Sequence, residues 1–197
     1  MRESQRAAMP AARKARGRPS ARDAMLDAAE TVVIEQGAAR LTLDAVARAA
    51  AVSKGGLMYH FPSKDALLQA LVTRAIERSH QARAAQRARL PAGHGQELLA
   101  YLQASVGDPL DNDRVSRALL GVVTGNPQLM APVREFYAAR LKQLAREVPF
   151  ERAALVYLAT EGLWLMELLD ASPFSKSQRN RVLKQLRSLA VEGGKLP

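Results

Sequence analysis

A chain of 197 residues, 48% of them hydrophobic, can bury a core without disulfide or metal support. The absence of cysteine excludes a disulfide scaffold, a thiolate metal site and a cysteine nucleophile. The formal net charge of +10 indicates a polyanionic partner, with nucleic acid as the simplest choice and an acidic membrane surface as the rival. No apolar run approaches the roughly 18 residues of a spanning helix, so we expect a cytoplasmic protein with no membrane partner.

Half of the excess charge lies at the start of the chain. Residues 1–19 contain six Arg or Lys residues against Glu3 alone, and six minus one gives +5. Because Pro10, Gly17 and Pro19 interrupt this segment and large apolar residues are few, we expect a basic disordered arm. The alternative is a tail that only improves solubility.

Three short helices are predicted after the arm. Ser20 and Asp23 form a capping box that begins the first helix, and Gly37 ends it. Thr42 caps a second helix of about two turns. A third short helix is predicted from Lys54 to Phe61, because a proline follows and forces a new beginning.

The remainder of the chain is also predicted to be helical. A long helix runs from Ser63 to about Arg89, and a segment rich in Gly and Pro breaks it. No strand is expected, so the fold class is all-α with about nine helices. The later helical segments are 96–106, 113–124, 127–147, 150–171 and 175–192.

A short helix, a tight turn and a second short helix are the arrangement that reads the major groove of DNA. The run TLDAVARAAAVSKGGLMYHFPSKDALL, residues 42–68, resembles the N-terminal DNA-binding domain of the TetR (tetracycline-repressor) family, as does the capped helix before it. The resemblance covers about residues 18–68. It implies a DNA-binding domain at 20–66 with its helix-turn-helix at 42–61, followed by a helical effector-binding and dimerisation domain at 67–197.

The resemblance also implies which residues meet DNA. Lys54 to His60 is the recognition helix, and Lys64 meets a phosphate at the next helix start. Leu57 and Phe61 are expected in the core, while the arm follows the DNA backbone or the adjacent minor groove. The predicted contacts are Arg16, Arg18, Thr42, Ser53, Lys54, Gly55, Gly56, Tyr59, His60 and Lys64.

Three residues depart from the family pattern. Ala51 takes a turn position that is often glycine, which costs about 1 kcal/mol if the turn is left-handed. Gly56 stands where threonine is frequent, and Met58 where tyrosine is. Gly55 and Gly56 in series weaken the recognition helix by roughly 1 kcal/mol each, so we expect it to become firmer on DNA.

The segment 150–169 is apolar nearly all round, so its helix must be covered on more than one side. The resemblance implies that 150–171 and 175–192 pair with their symmetry mates in a four-helix bundle. The alternative is that both segments only fill the core of their own monomer. A homodimer would present two recognition helices to a palindromic operator in double-stranded DNA.

TetR-like bodies usually hold a small-molecule pocket. Glu161 and Glu167 on the apolar helix need an exit to water, a cationic ligand, or an arginine such as Arg134 or Arg140. Trp164, one turn after Glu161, motivates a hydrophobic or cationic effector. The alternative for each apolar candidate is an ordinary core position. The effector-binding candidates are Tyr101, Met130, Phe136, Tyr137, Glu161 and Trp164.

No motif typical of an enzyme is present. The chain has no G-x-S-x-G, no glycine-rich phosphate loop and no H-E-x-x-H, and His60, His80 and His94 lack the spacing of metal ligands. We therefore expect no enzyme, metal site or cofactor, but a repressor that an effector releases from its operator. The alternatives are a ligand-independent DNA-organising protein and a membrane-surface module.

Overall fold

The computed structural model describes residues 20–106 and 111–191. Within these ranges the chain forms nine α-helices and one short 3-10 turn, with no strand, which confirms the all-α prediction. The predicted arm, with Arg16 and Arg18, lies outside the described residues. The helices are α1 (Ala21–Gln36), α2 (Leu43–Ala49), α3 (Lys54–His60), α4 (Lys64–Arg89), α5 (Gln96–Ser105), α6 (Asp111–Thr124), α7 (Pro127–Leu144), α8 (Phe150–Leu168) and α9 (Lys176–Val191).

Side-chain caps fix the starts of the first four helices. In each case a hydroxyl oxygen accepts a hydrogen bond from the backbone amide three residues later, at 3.0–3.1 Å. Such a bond satisfies one of the free amides that every helix start leaves. The caps and their amides are Ser20 with Asp23, Thr42 with Ala45, Ser53 with Gly56, and Ser63 with Ala66.

The link between α1 and α2 contains an element that was not predicted. Gly37 ends α1 as expected, with φ 85° and its amide bonded to the Val33 carbonyl at 3.0 Å. The chain then forms a 3-10 turn over Ala38–Arg40. Leu41 follows and is fully buried, so the turn delivers this side chain to the core.

Helix α8 ends earlier than predicted, at Leu168 and not at residue 171. Asp170 takes a left-handed conformation with φ 54°, which an L residue cannot continue as a helix. The amide of Ala171 donates to the Met166 carbonyl at 2.8 Å and closes the end.

The buried side chains form two clusters. The first joins α1 to α4 with parts of α6 and α7, and it includes Leu57 and Phe61, at 0% and 1% exposure as predicted. The second joins α5, α7, α8 and α9, with Leu98, Tyr101 and Val156 at its centre. Because α6 and α7 contribute to the first cluster, the N-terminal helices pack directly on the rest of the chain.

Helix α4 connects the two clusters. In its middle, Arg78 pairs with Glu30 of α1 at 2.8 Å. Near its end, Arg83 and Arg87 both pair with the buried carboxylate of Glu97 on α5. Helix α4 is therefore tied by ion pairs to α1 of the first cluster and to α5 of the second.

The turn between α2 and α3 is left-handed at Ala51, with φ 53°. We expect Ala51→Gly to raise the free energy of unfolding by about 1 kcal/mol, because glycine adopts this conformation without a Cβ clash. Urea unfolding measures the change. The control Ala84→Gly, at an exposed position within α4, should lower stability by about 1 kcal/mol. A loss of stability in Ala51→Gly as well would contradict the assignment of strain to this turn.

Candidate DNA-binding surface and effector site

The short helix α3 presents one face to solvent. Leu57 and Phe61 anchor its inner face in the first cluster. On the outer face Tyr59 is 85% exposed and Met58 42%. Large side chains that remain this exposed on a well-anchored helix are available to a partner.

Two predicted lysines are the first residues of α3 and α4, and each contacts another residue of the chain. The Lys54 ammonium pairs with the Asp44 carboxylate at 3.0 Å, with both side chains more than half exposed. Exposed pairs of this kind contribute little stability, so a phosphate can replace the carboxylate. The Lys64 ammonium donates to the Ala39 carbonyl at 3.1 Å and ties the start of α4 to the 3-10 turn.

The first turn of α3 has little side-chain bulk, because it contains Gly55 and Gly56. A Cβ at Gly55 would meet nothing within 4 Å, whereas one at Gly56 would lie 3.2 Å from Oγ of Ser53. Since that oxygen caps α3, a side chain at Gly56 would press on the cap. Open backbone at a helix start allows close approach of a phosphate.

His60 ends α3 and is half-buried. Its ring meets that of Tyr59 edge-on, with centroids 5.2 Å apart, and lies 6.3 Å from that of Phe61. The Arg22 guanidinium lies over the Phe61 ring at 5.1 Å, a contact that sequence patterns did not indicate. The structure thus brings the predicted contacts from Thr42 to Lys64 to one region around α2 and α3.

A second group of candidates meets between α5, α7 and α8. The ring of Tyr157 lies 5.4 Å from that of Tyr101 and 6.3 Å from that of Tyr137, between centroids. The Tyr101 hydroxyl donates to the Glu161 carboxylate at 2.5 Å. Phe136 stacks obliquely on Tyr137 at 5.6 Å. We call these five residues the tyrosine cluster.

Burial dominates the acid–base properties of the tyrosine cluster. It raises the pKa of Glu161, against the opposing effects of the Tyr101 and Tyr137 hydroxyls and the positive charge of Arg140. Burial and then the Glu161 charge raise the pKa of all three tyrosines. The tyrosines therefore remain neutral hydrogen-bonding groups.

Arg140 of α7 adjoins the cluster and is 3% exposed. Its guanidinium lies over the rings of Tyr101 and Phe136, 5.4 Å and 4.7 Å from their centroids. Phe136 also lines a groove of about 330 Å³ between α4 and α7, where it meets the His80 ring edge-on at 5.3 Å. The groove therefore reaches the edge of the tyrosine cluster.

Two predicted effector residues are not among the five residues of the tyrosine cluster. Met130 packs against the first hydrophobic cluster. Trp164 is half-buried on α8, one turn after Glu161. Glu167 has an arginine partner other than those considered: Arg179 of α9 donates to it through Nη2 at 3.0 Å.

Sequence patterns missed Tyr157 and His80. A usable signal existed for Tyr157, because it precedes Glu161 by one helical turn and therefore shares its face of α8. No comparable signal existed for His80, since its neighbours Phe136 and Arg140 lie on a different helix.

An apolar stripe follows the outer face of α8. Five large side chains on it are between 40% and 67% exposed. In the described part of the chain, no helix is long and apolar enough to span a bilayer, so this stripe is not a membrane span. The stripe consists of Leu155, Leu158, Leu165, Met166 and Leu169.

The described residues contain no group of three side chains arranged to hold a metal ion.

Two family models match the chain over most of its length. The model of bacterial regulatory proteins of the tetR family matches residues 25–71, and that of the tetracyclin repressor-like C-terminal domain matches residues 95–191. These matches cover both the α2–α3 region and the tyrosine cluster.

Relatives and solved structures are similar over nearly their whole length. The HTH-type transcriptional regulator BetI of Escherichia coli K12 is 26% identical over 179 residues, which cover 81% of this chain and 88% of BetI. The BetI of Cronobacter sakazakii is 29% identical over 170 residues, with 80% and 84% covered.

Two solved structures show the same fold. A TetR-family member from Streptomyces coelicolor A3 gives a TM-score of 0.69 at 28% identity, covering 85% of this chain and 98% of its own. The multidrug binding protein EbrR, complexed with malachite green, gives 0.66 at 27% identity, with 85% and 98% covered. Members of this family are DNA-binding regulators and not enzymes. The chain belongs to the TetR family of bacterial transcriptional regulators.

Proposed function

We propose that this chain is a homodimeric repressor that acts in the cytoplasm, binds a palindromic operator through α3, and leaves it when a small effector enters the tyrosine cluster. The observation that carries DNA recognition is the exposure of Tyr59 on a helix whose other face is fully buried. A DNA-organising protein without a ligand would need no buried polar cluster of this kind. The domain boundaries 20–66 and 67–197 belong to the same proposal.

Exposed apolar surface supports the dimer. The stripe on α8 would leave leucine side chains in water, at a cost of about 1.5–3 kcal/mol for each side chain that pairing would bury. A second copy packed on α8 and α9 would cover the stripe and place two α3 helices on one side of the dimer. A palindromic site is bound by two recognition helices, one from each protomer.

The position of the tyrosine cluster supports the effector. EbrR has been crystallised with malachite green and with ethidium, so a similar fold accommodates small molecules. His80 of α4 is in ring contact with Phe136, while Lys64 begins the same helix beside the DNA-binding surface. An effector that favours one position of α4 would change the spacing of the two heads, provided it binds the two states unequally.

The operator can be identified by selection from random duplex DNA, and a half site is then made by scrambling one half of its palindrome. We expect affinity, measured by fluorescence anisotropy, to fall by at least about tenfold when one half of the palindrome is scrambled, because one head then meets bases that it does not recognise. Equal affinity for the whole and the half site would contradict paired recognition.

The basic arm should make DNA binding sensitive to salt. Deletion of residues 1–16 removes five Arg or Lys residues, and the slope of log K against log salt should become shallower by about 0.9 for each phosphate that the arm neutralises in the full chain. The binding constant is measured over a salt series. Lys142→Gln, a charge change at an exposed position on α7, serves as the control and should leave the slope unchanged. An unchanged slope after the deletion would show that the arm does not contact DNA.

A further inference from the structure

The Arg140 guanidinium presents an unused hydrogen-bonding edge inside the protein. Among the described residues, neither its Nε nor its Nη2 has a hydrogen-bond partner, although the side chain is 3% exposed. These two N–H groups lie on the same edge of the guanidinium and point in parallel, which matches the two oxygens of one carboxylate. A buried donor without an acceptor is destabilising, so a ligand that supplies acceptors here gains affinity.

The nearby carboxylates of the protein are occupied elsewhere. Glu161 accepts from the Tyr101 hydroxyl at 2.5 Å and does not accept from Nε or Nη2 of Arg140, and burial raises its pKa. Glu97 pairs with Arg83 and Arg87. Among the described residues no carboxylate accepts from Nε or Nη2 of Arg140, so a bound ligand can supply the acceptor.

A cationic effector fits the same place poorly. The Arg140 guanidinium already lies over the rings of Tyr101 and Phe136, at distances typical of a cation on an aromatic face. Burial, and then the charges of Arg140 and Arg87, lower the pKa of Arg83 to about 10, so Arg140 already acts on a neighbouring cation. A further cation would add repulsion, whereas an anion would relieve it.

Two neighbouring groups complete the site. The Tyr157 hydroxyl is buried and, among the described residues, has no hydrogen-bond partner, so it is a further donor. Burial and the charges of Arg140 and Arg83 lower the pKa of His80, which lines the adjoining groove. His80 is therefore neutral near pH 7. The Arg140 guanidinium does not line the groove itself but lies 4.7 Å from the ring of Phe136, which lines it together with Glu135.

We propose that the effector is a small carboxylate whose two oxygens bind Nε and Nη2 of Arg140, with the Tyr157 hydroxyl as a third donor and the rings of Phe136 and Tyr137 against its apolar body. This assignment rests on the proposed function, because it names the chemical class of the effector of the same cluster. It replaces the cationic effector that the sequence suggested.

The test compares ligands that share a skeleton and differ in charge. Benzoate, phenylacetate, phenylbutyrate and octanoate are each assayed beside the matching amide and amine, by the shift in Tm and by calorimetric titration of the full chain. At least one carboxylate should raise the Tm and bind at least about tenfold more tightly than its amide and its amine. An amine that binds most tightly, or a panel in which no carboxylate raises the Tm, would overturn the proposal.

Variants locate the binding in the protein. Arg140→Gln and Arg140→Lys should each weaken carboxylate binding at least about tenfold, because lysine keeps the charge but lacks the parallel pair of N–H groups. Arg134→Gln, an exposed change on the same helix, should have no effect. Full affinity in both Arg140 variants would overturn the proposal, and if neither folds the ligand panel on the unaltered chain decides.

Release of DNA is measured separately, by the anisotropy of labelled operator. A carboxylate that binds through Arg140 and leaves the DNA complex intact would uphold this assignment and contradict effector-driven release. An amine or amide that releases the operator would support effector-driven release and contradict the assignment of a carboxylate effector.

Discussion

Replacement of Tyr59 by alanine should weaken operator binding by about 2–6 kcal/mol, because a dimer carries two copies and removal of each base-contacting side chain costs about 1–3 kcal/mol. The exposed fraction of 85% means that the side chain contributes little to the core. The fold and the dimer should therefore be unchanged by circular dichroism and light scattering. His60→Ala should weaken binding in the same direction, since its ring packs against Tyr59. Fluorescence anisotropy with labelled operator measures both effects.

A control at another exposed position separates DNA contact from a general effect of removing a side chain. Gln128→Ala removes an exposed polar group at the start of α7, away from α3 in the chain, and should bind operator normally. Normal affinity of Tyr59→Ala, measured beside this control, would show that the outer face of α3 does not contact DNA.

Leu158→Glu should convert the dimer into a monomer and remove operator binding with it. Leu158 is 67% exposed in the single chain and lies within the apolar stripe of α8. In a dimer that buries this stripe, the substitution removes two apolar side chains worth about 1.5–3 kcal/mol each and adds two unpaired charges. Light scattering coupled to gel filtration gives the mass directly.

Ala138→Glu, an equivalent charge at an exposed position of α7, is the matched control and should stay dimeric. A monomer with unaltered sequence, or a dimer that tolerates Leu158→Glu, would show that the stripe on α8 is not the interface. Either result would leave the paired reading of a palindrome without support.

Features that depend on neighbouring residues could be predicted from the sequence. The predicted caps at Ser20 and Thr42 each need only an oxygen three residues before an amide, so they mark helix starts reliably. At Ala51 the resemblance to the family pointed to a turn position that is often glycine, and its φ of 53° shows that this turn is left-handed. The burial of Leu57 on the inner face of α3 was expected from the resemblance to the family, and its exposure of 0% confirms it.

The tyrosine cluster could be predicted only in part, because packing between helices decides it. Tyr101, Tyr137 and Glu161 come from three helices, and no periodicity records how those helices are rotated against one another. Met130 was predicted with the aromatic candidates because it is a large apolar residue, but it packs against the first hydrophobic cluster and not against the tyrosines. Nor does the sequence reveal that the edge of Arg140 is left without an acceptor.

Sequencing of the genomic DNA fragments that the purified protein retains tests its central role as an operator-specific regulator most directly. The experiment is run with the unaltered chain and with Tyr59→Ala under the same salt. We predict enrichment of one or a few promoter fragments that share a palindrome, and loss of that enrichment in the variant. Uniform retention of fragments without a shared palindrome, or equal enrichment by both proteins, would contradict recognition of an operator through α3.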